Sequence, residues 1–161
     1  MYMRGHKQLF SSAHTGGKDD WVTPNSLFNK LDQEFRFTLD PCATKHNTKC
    51  VTYFNPEDNG LIQSWKDHTV WINPPYSTAK DWIKKALEEW SSNGTTIVML
   101  LPARTDTRIW HEIIAIHAAQ IRFLRGRLTF VGATNSAPFP SALVIFSNTI
   151  YKDRVVFVNY K

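Results

Sequence analysis

Residues 95–101 end in Ile97-Val98-Met99-Leu100-Leu101, an apolar run of strand length. A strand that is apolar at successive positions offers no side to water. It has to be covered on both faces, as happens inside a parallel sheet. Suitable covers flank it. Residues 78–92 place Trp82, Ile83, Ala86, Leu87 and Trp90 on one helical face, with Lys84, Lys85, Glu88 and Glu89 largely elsewhere, and Asn93-Gly94 closes that helix. Residues 106–118 predict a second helix with Ile109, Trp110, Ile113 and Ile114 on its core side.

The pattern extends in both directions. Thr23-Pro24 predicts a helix start, with Thr23 as N-cap and Pro24 at the first helical position, followed by Leu27, Phe28, Leu31 and Phe35 at helical spacing. Residues 35–40 alternate and predict a strand ending in Asp40. A short apolar run follows at 51–54. Residues 69–72 predict a strand that runs straight into Asn73-Pro74-Pro75-Tyr76, where the prolines must end it. Further strands are expected at 120–124, 142–147 and 154–158. Strands alternating with helices predict an α/β fold, a mostly parallel sheet flanked by helices, with an antiparallel strand pair at the C-terminal end. Residues 1–20 are polar and contain Gly16-Gly17, and are expected to form a flexible N-terminal arm before a single domain over 21–161.

With 42% hydrophobic and 20% charged residues, the chain of 161 residues can bury a core, which excludes a disordered chain. The net charge of +5 leans towards a polyanionic partner. No apolar stretch approaches a membrane span or a signal peptide, so a cytoplasmic protein with reduced thiols and no membrane association is expected. Cys42, His46 and Cys50 are evenly spaced, but no second ligand pair at zinc-like spacing completes a tetrahedral set, and no metal is expected.

Asn73-Pro74-Pro75-Tyr76 carries the chemistry. An exocyclic aromatic amine is a poor nucleophile because its lone pair is delocalised into the ring. The Asn73 side-chain carbonyl and the Pro74 backbone carbonyl can each accept one amine hydrogen, drawing the nitrogen towards tetrahedral geometry. The tandem prolines, Pro74 and Pro75, fix the backbone so that a carbonyl can point into a crevice, and Tyr76 can stack on a flat ring. No general base is required, because the proton can leave after methyl transfer. The competing reading is a strand-terminating Asn-Pro turn. Asp40 also ends a strand, where an acid can hold polar groups of a nucleoside cofactor, and Pro41-Cys42-Ala43 follows with small residues. No Gly-x-Gly-x-x-Gly is present, so the dinucleotide fingerprint is absent. Both strand ends should line one crevice.

These motifs, with several others, resemble the phage-type DNA N6-adenine methyltransferase family. The resemblance runs through Trp21-Val22-Thr23-Pro24, Phe37-Thr38-Leu39-Asp40-Pro41-Cys42-Ala43, Asn73-Pro74-Pro75-Tyr76, Leu101-Pro102-Ala103-Arg104-Thr105-Asp106-Thr107, Arg125-Gly126-Arg127-Leu128-Thr129-Phe130 and Ala137-Pro138-Phe139-Pro140, covering about residues 20–147. It implies a Rossmann-like methyltransferase fold, S-adenosylmethionine as methyl donor and N6 of a DNA adenine as acceptor. It further implies that Asp40, Pro41 and Cys42 hold the cofactor, with Thr23 and Pro24 near its methionine end and Trp21 placed to cover it. Where many amino-methyltransferases have a glycine-rich loop after the first strand, this chain has Pro41-Cys42-Ala43-Thr44. The ribose acid is open: Asn55, Glu57 and Asp58 are candidates, or their loop is a polar turn.

A base inside a duplex cannot reach a buried donor and must be flipped out, and backbone contacts must offset that cost. Lys80, Arg104, Arg108, Arg125 and Arg127 are the candidates for DNA phosphates, with Arg125-Gly126-Arg127 the favoured pair; each could equally be an ordinary solvated charge. No separate target-recognition domain is expected in 161 residues. Trp71 reads as packing, and His111 and His117 as structural or exposed. Two alternatives remain: the same motif acting on N4 of cytosine, an RNA adenine or a protein glutamine amide, or an inactive DNA-binding module on the same fold.

Overall fold

The computed structural model describes Asp19 and residues 21–160; the arm expected over 1–20 otherwise lies outside the described residues. The elements run α1 (Asn25–Phe35), β1 (Leu39–Asp40), β2 (Thr52–Tyr53), β3 (Thr69–Ile72), α2 (Ala79–Asn93) and β4 (Thr96–Pro102). A π-helical segment, Trp110–Ile114, continues into α3 (Ala115–His117), followed by β5 (Gln120–Leu124), β6 (Ser141–Phe146) and β7 (Val155–Val158). One sheet holds the strands in the order β2-β1-β3-β4-β6-β5-β7. It is mostly parallel, as the strand–helix alternation predicts. The antiparallel ladders near the C-terminal end are β6 with β5 and β6 with β4, while β7 returns parallel to β5.

The unbroken apolar character of β4 has the expected cause. Ile97, Met99 and Leu101 enter one core with Trp82, Ile83 and Ala86 of α2 and with Trp110 and Ile114. Val98 and Leu100 enter a second core with Leu27, Phe28 and Leu31 of α1. Successive side chains of a strand point to opposite faces, so one strand serves both layers. Strands β3 and β6 divide their residues between the two cores in the same way.

From β1 the chain steps to β2 on one side, then crosses to β3 on the other. The connection direction reverses between β1 and β3, which opens a crevice above their C-terminal ends. Asp40 ends β1 and Asn73 directly follows β3, so the fold brings both to that crevice.

Several expected boundaries move. Phe35 closes α1 and is not part of a strand, because Arg36 turns the chain with φ 56° and donates its N–H to Asp32 O. The Phe37 N–H then donates to Asp32 Oδ1, and only Leu39–Asp40 joins the sheet. The alternation of Phe35 and Phe37 reflects an aromatic cluster: the two rings stack at 5.6 Å, and Phe37 packs on Phe28 and Trp71. Pro24, not Thr23, occupies the N-cap position of α1, and no side chain caps that end. The segment expected to be a helix over 106–118 is helical over 108–117, and its middle, Trp110–Ile114, has the wider turns of a π-helix. Among the described residues no helix is long and apolar enough to cross a membrane.

Candidate active site

Thr23 is not available as a cap because it serves the crevice. The Asn73 Nδ2 amide donates to the Trp21 backbone carbonyl and to Thr23 Oγ1, the latter at 3.1 Å. Two acceptors fix which way the amide faces, since only nitrogen can donate. Its other end, Asn73 Oδ1, is buried and has no hydrogen-bond partner. An unpaired buried acceptor is costly, on the order of 1–3 kcal/mol, and calls for an explanation at a ligand site. Pro74 and Pro75 are buried. The Pro75 carbonyl accepts the Thr78 N–H at 3.1 Å, in the turn that starts α2.

Asp40 forms the opposite wall. It is only 4% exposed. Its Oδ2 accepts the Lys49 N–H at 3.1 Å and its Oδ1 the Cys42 N–H at 3.4 Å. These bonds and the Lys49 charge lower its pKa, but desolvation outweighs them and pushes the carboxyl up to about 7. Such a group lacks a cationic partner close enough to offset burial. Lys49 Nζ itself is drawn away to Asn25 Oδ1 at 2.6 Å. Burial, then the charge of Asp40, pushes the Cys42 thiol well above its ordinary range, so it stays protonated. Cys50 is raised to about 12, chiefly by burial. Trp21, Thr23, Asp40, Cys42, Lys49 and Asn73 line one small cleft.

Above it stands an aromatic box. Trp21 stacks on Tyr76 with centroids 6.4 Å apart, and Phe139 meets Tyr76 edge-on at 5.3 Å and Trp21 edge-on at 5.4 Å. Phe130 packs on Trp21 at 5.1 Å. Tyr76 is therefore covered, not open, and its buried hydroxyl has no partner.

The sequence matches the DNA N-6-adenine-methyltransferase (Dam) family over residues 11–160. The chain belongs to this family. Two phage proteins called DNA N-6-adenine-methyltransferase are similar to it. That of Haemophilus phage HP1 is 32% identical over 144 residues, covering 84% of this chain and 83% of the phage protein. That of Escherichia phage T1 is 35% identical over 114 residues, covering 70% of this chain and 47% of the phage protein. A putative methyltransferase of Escherichia coli K12, YfdM, is 34% identical over 65 residues, 36% of this chain and 71% of that protein.

Membership of a methyltransferase family implies a methyl donor, and the remaining candidates can be placed against that cleft. Asn55 lines a recess with Pro41, Cys42, Ala43, Phe54 and Gly60, one step along the sheet edge. Asn55 and Asp58 hold each other: the Asn55 N–H donates to Asp58 Oδ2 and the Asp58 N–H to Asn55 Oδ1, both at 2.9 Å. That is a polar turn, and it uses one oxygen of the Asp58 carboxylate, Oδ2; Glu57 and Asp58 are both exposed. Lys80 and Arg104 come together in a recess beside Tyr76. Arg125 and Arg127 line a separate groove with Leu27 and Tyr160. Arg108 stands apart, exposed and paired with Glu112 at 2.8 Å. Trp71 is buried packing, although it also reaches the cleft; His111 is exposed and His117 half-buried.

The candidate site also contains residues with no functional signal in the sequence pattern. Lys49 and Asn47 reach the cleft from an irregular loop without periodicity, and Phe130 and Phe139 close the aromatic box. The sole signal for the last two was their place inside family-like segments.

Proposed function

We propose that this chain transfers a methyl group from S-adenosylmethionine to N6 of an adenine flipped out of DNA, in the cytoplasm of a bacterial cell. The orphaned Asn73 Oδ1 carries the reading. It is a buried acceptor with its amide locked in orientation, which is what one hydrogen of an exocyclic amine requires. Family membership and the names of the phage relatives support DNA adenine as the acceptor.

The residues present fit the donor. Asp40 is a buried carboxyl with backbone partners alone, suited to a cationic ammonium group such as the methionine end carries. Trp21, Thr23 and Cys42 line the same cleft, Pro41 and Asn55 share the next recess with Cys42, and Pro24 follows Thr23 on the side of the Arg125–Arg127 groove. When bound, the sulfonium cofactor supplies an electrophilic methyl group. Asn73 Oδ1 and the Pro74 carbonyl each take one amine hydrogen, which withdraws the lone pair from the ring and aims it. Because no resting base is needed, the protonated state of Cys42 is no obstacle. Tyr76 stacks on the base once Trp21 or Phe139 moves aside. Arg125 and Arg127 take DNA phosphates along their groove.

The test is incubation with labelled S-adenosylmethionine and unmethylated DNA, followed by nucleoside mass spectrometry. N6-methyladenine is the expected product. Label on N4 of cytosine, or no label in DNA while RNA or protein is labelled, overturns the substrate assignment.

A further inference from the structure

The recess beside Tyr76 is distinct from the small cleft that Asp40 and Asn73 line. It opens between the start of α2, the end of β4 and the turn before the π-helix. Its floor is apolar, formed by Ile83, Leu101, Pro102 and Trp110. Its rim carries Lys80 and Arg104, both exposed, and neither enters an ion pair among the described residues. Asn73 and Asp40 do not line it. Its walls thus offer neither the buried Asn73 acceptor nor the carboxyl suited to a cationic donor. Yet Tyr76 forms one wall, so an occupant here lies next to whatever occupies the Asn73 crevice.

We propose that this recess holds the DNA nucleotide adjoining the target adenine on the same strand, its base on the apolar floor and its phosphate against Lys80 and Arg104. The inference rests on the reading that DNA is the substrate. Apolar and aromatic floors hold bases without reading their edges, so the pocket anchors the strand and favours bases by size more than by hydrogen bonding. The two rim cations supply the charge that a phosphate needs. Gripping the neighbour also helps to hold the backbone in the distorted course that a flipped base requires.

The test compares binding of three duplexes by the full chain: an intact one, one with an abasic site just 5′ of the target adenine, and one with it just 3′. A single pocket predicts that one of the two abasic duplexes binds about tenfold more weakly and the other nearly as well as the intact one. In Ile109→Trp, which fills the recess that Ile109 helps to line, the penalty for that abasic site shrinks towards none, whereas Lys80→Ala/Arg104→Ala, which strips the phosphate contacts, weakens binding of all three duplexes. Equal binding of all three duplexes by the wild type overturns the proposal, and so does an equal loss at both positions, an undiminished penalty in Ile109→Trp, or unchanged binding by Lys80→Ala/Arg104→Ala. The wild-type comparison decides even if Ile109→Trp does not fold. Detection of N6-methyladenine in the intact duplex is scored in parallel. Its absence counts against the adenine reading, whereas its presence with equal binding of the three duplexes counts against the recess alone.

Discussion

Replacing Asp40 with asparagine should shift relative stability towards the variant as pH rises to neutral, while weakening binding of the methyl donor. The carboxyl titrates near 7 in the fold against an ordinary 3.8. The folded chain thus keeps a proton that the unfolded chain has released. Its contribution to stability is complete below 3.8, is lost as pH climbs towards 7, and is flat above that. Between pH 5 and pH 8 the wild type loses roughly 2.5 kcal/mol relative to Asp40→Asn, from the linkage between the two pKa values. The asparagine amide cannot accept both the Lys49 and Cys42 N–H groups, which costs a constant on the order of 1–3 kcal/mol. That offset shifts the absolute difference but not its pH dependence. Thermal melts of both proteins in matched buffers should show the gap between their Tm values moving by roughly 5–10 °C over this range, in favour of the variant as pH rises. Over pH 5 to 7.5, affinity for S-adenosylmethionine should rise in the wild type and stay low and nearly level in Asp40→Asn. A pH-independent gap in Tm refutes the account of Asp40 as a desolvated carboxyl awaiting a cation.

Thr23→Val removes one of the two acceptors of Asn73 Nδ2 and leaves the Trp21 carbonyl to orient the amide alone. Steady-state kinetics should show kcat falling about tenfold with the KM for DNA little changed. Gly60→Ala places a methyl group 2.0 Å from the Pro41 carbonyl oxygen, backbone that cannot yield cheaply. Urea unfolding should report a loss of about 1–3 kcal/mol, and calorimetry weaker donor binding, because Pro41–Ala43 must move. Arg125→Ala and Arg127→Ala should weaken DNA binding alike for all sequences and each lower the slope of log affinity against log salt by about 1.

Much of this site follows from strand ends. Asp40 and Asn73 each close an apolar strand in an α/β pattern, and a switch point between β1 and β3 brings them together. The helix over residues 78–92 was equally plain, because Trp82, Ile83 and Ala86 repeat at helical spacing against a charged back. Local rules failed where tertiary contacts took over. Thr23-Pro24 is a sound cap signal, but the Thr23 hydroxyl is claimed by Asn73, fifty residues away. Phe35 and Phe37 alternate like a strand, yet a left-handed Arg36 and an aromatic cluster explain the spacing. The box of Trp21, Phe130 and Phe139 joins three distant segments and has no period to betray it. The same holds for Lys49, whose backbone N–H meets Asp40 from an irregular loop.

The central claim is that Asn73 Oδ1 accepts a hydrogen of the target amine, and single-turnover methylation by Asn73→Ala tests it most directly. Wild type and variant are compared with saturating S-adenosylmethionine and DNA, and binding of each ligand is measured alongside. The account predicts a methyl-transfer rate lower by about two to three orders of magnitude with donor and DNA still bound. A rate within a few-fold of the wild type contradicts it, because the buried acceptor would then have no part in the chemistry.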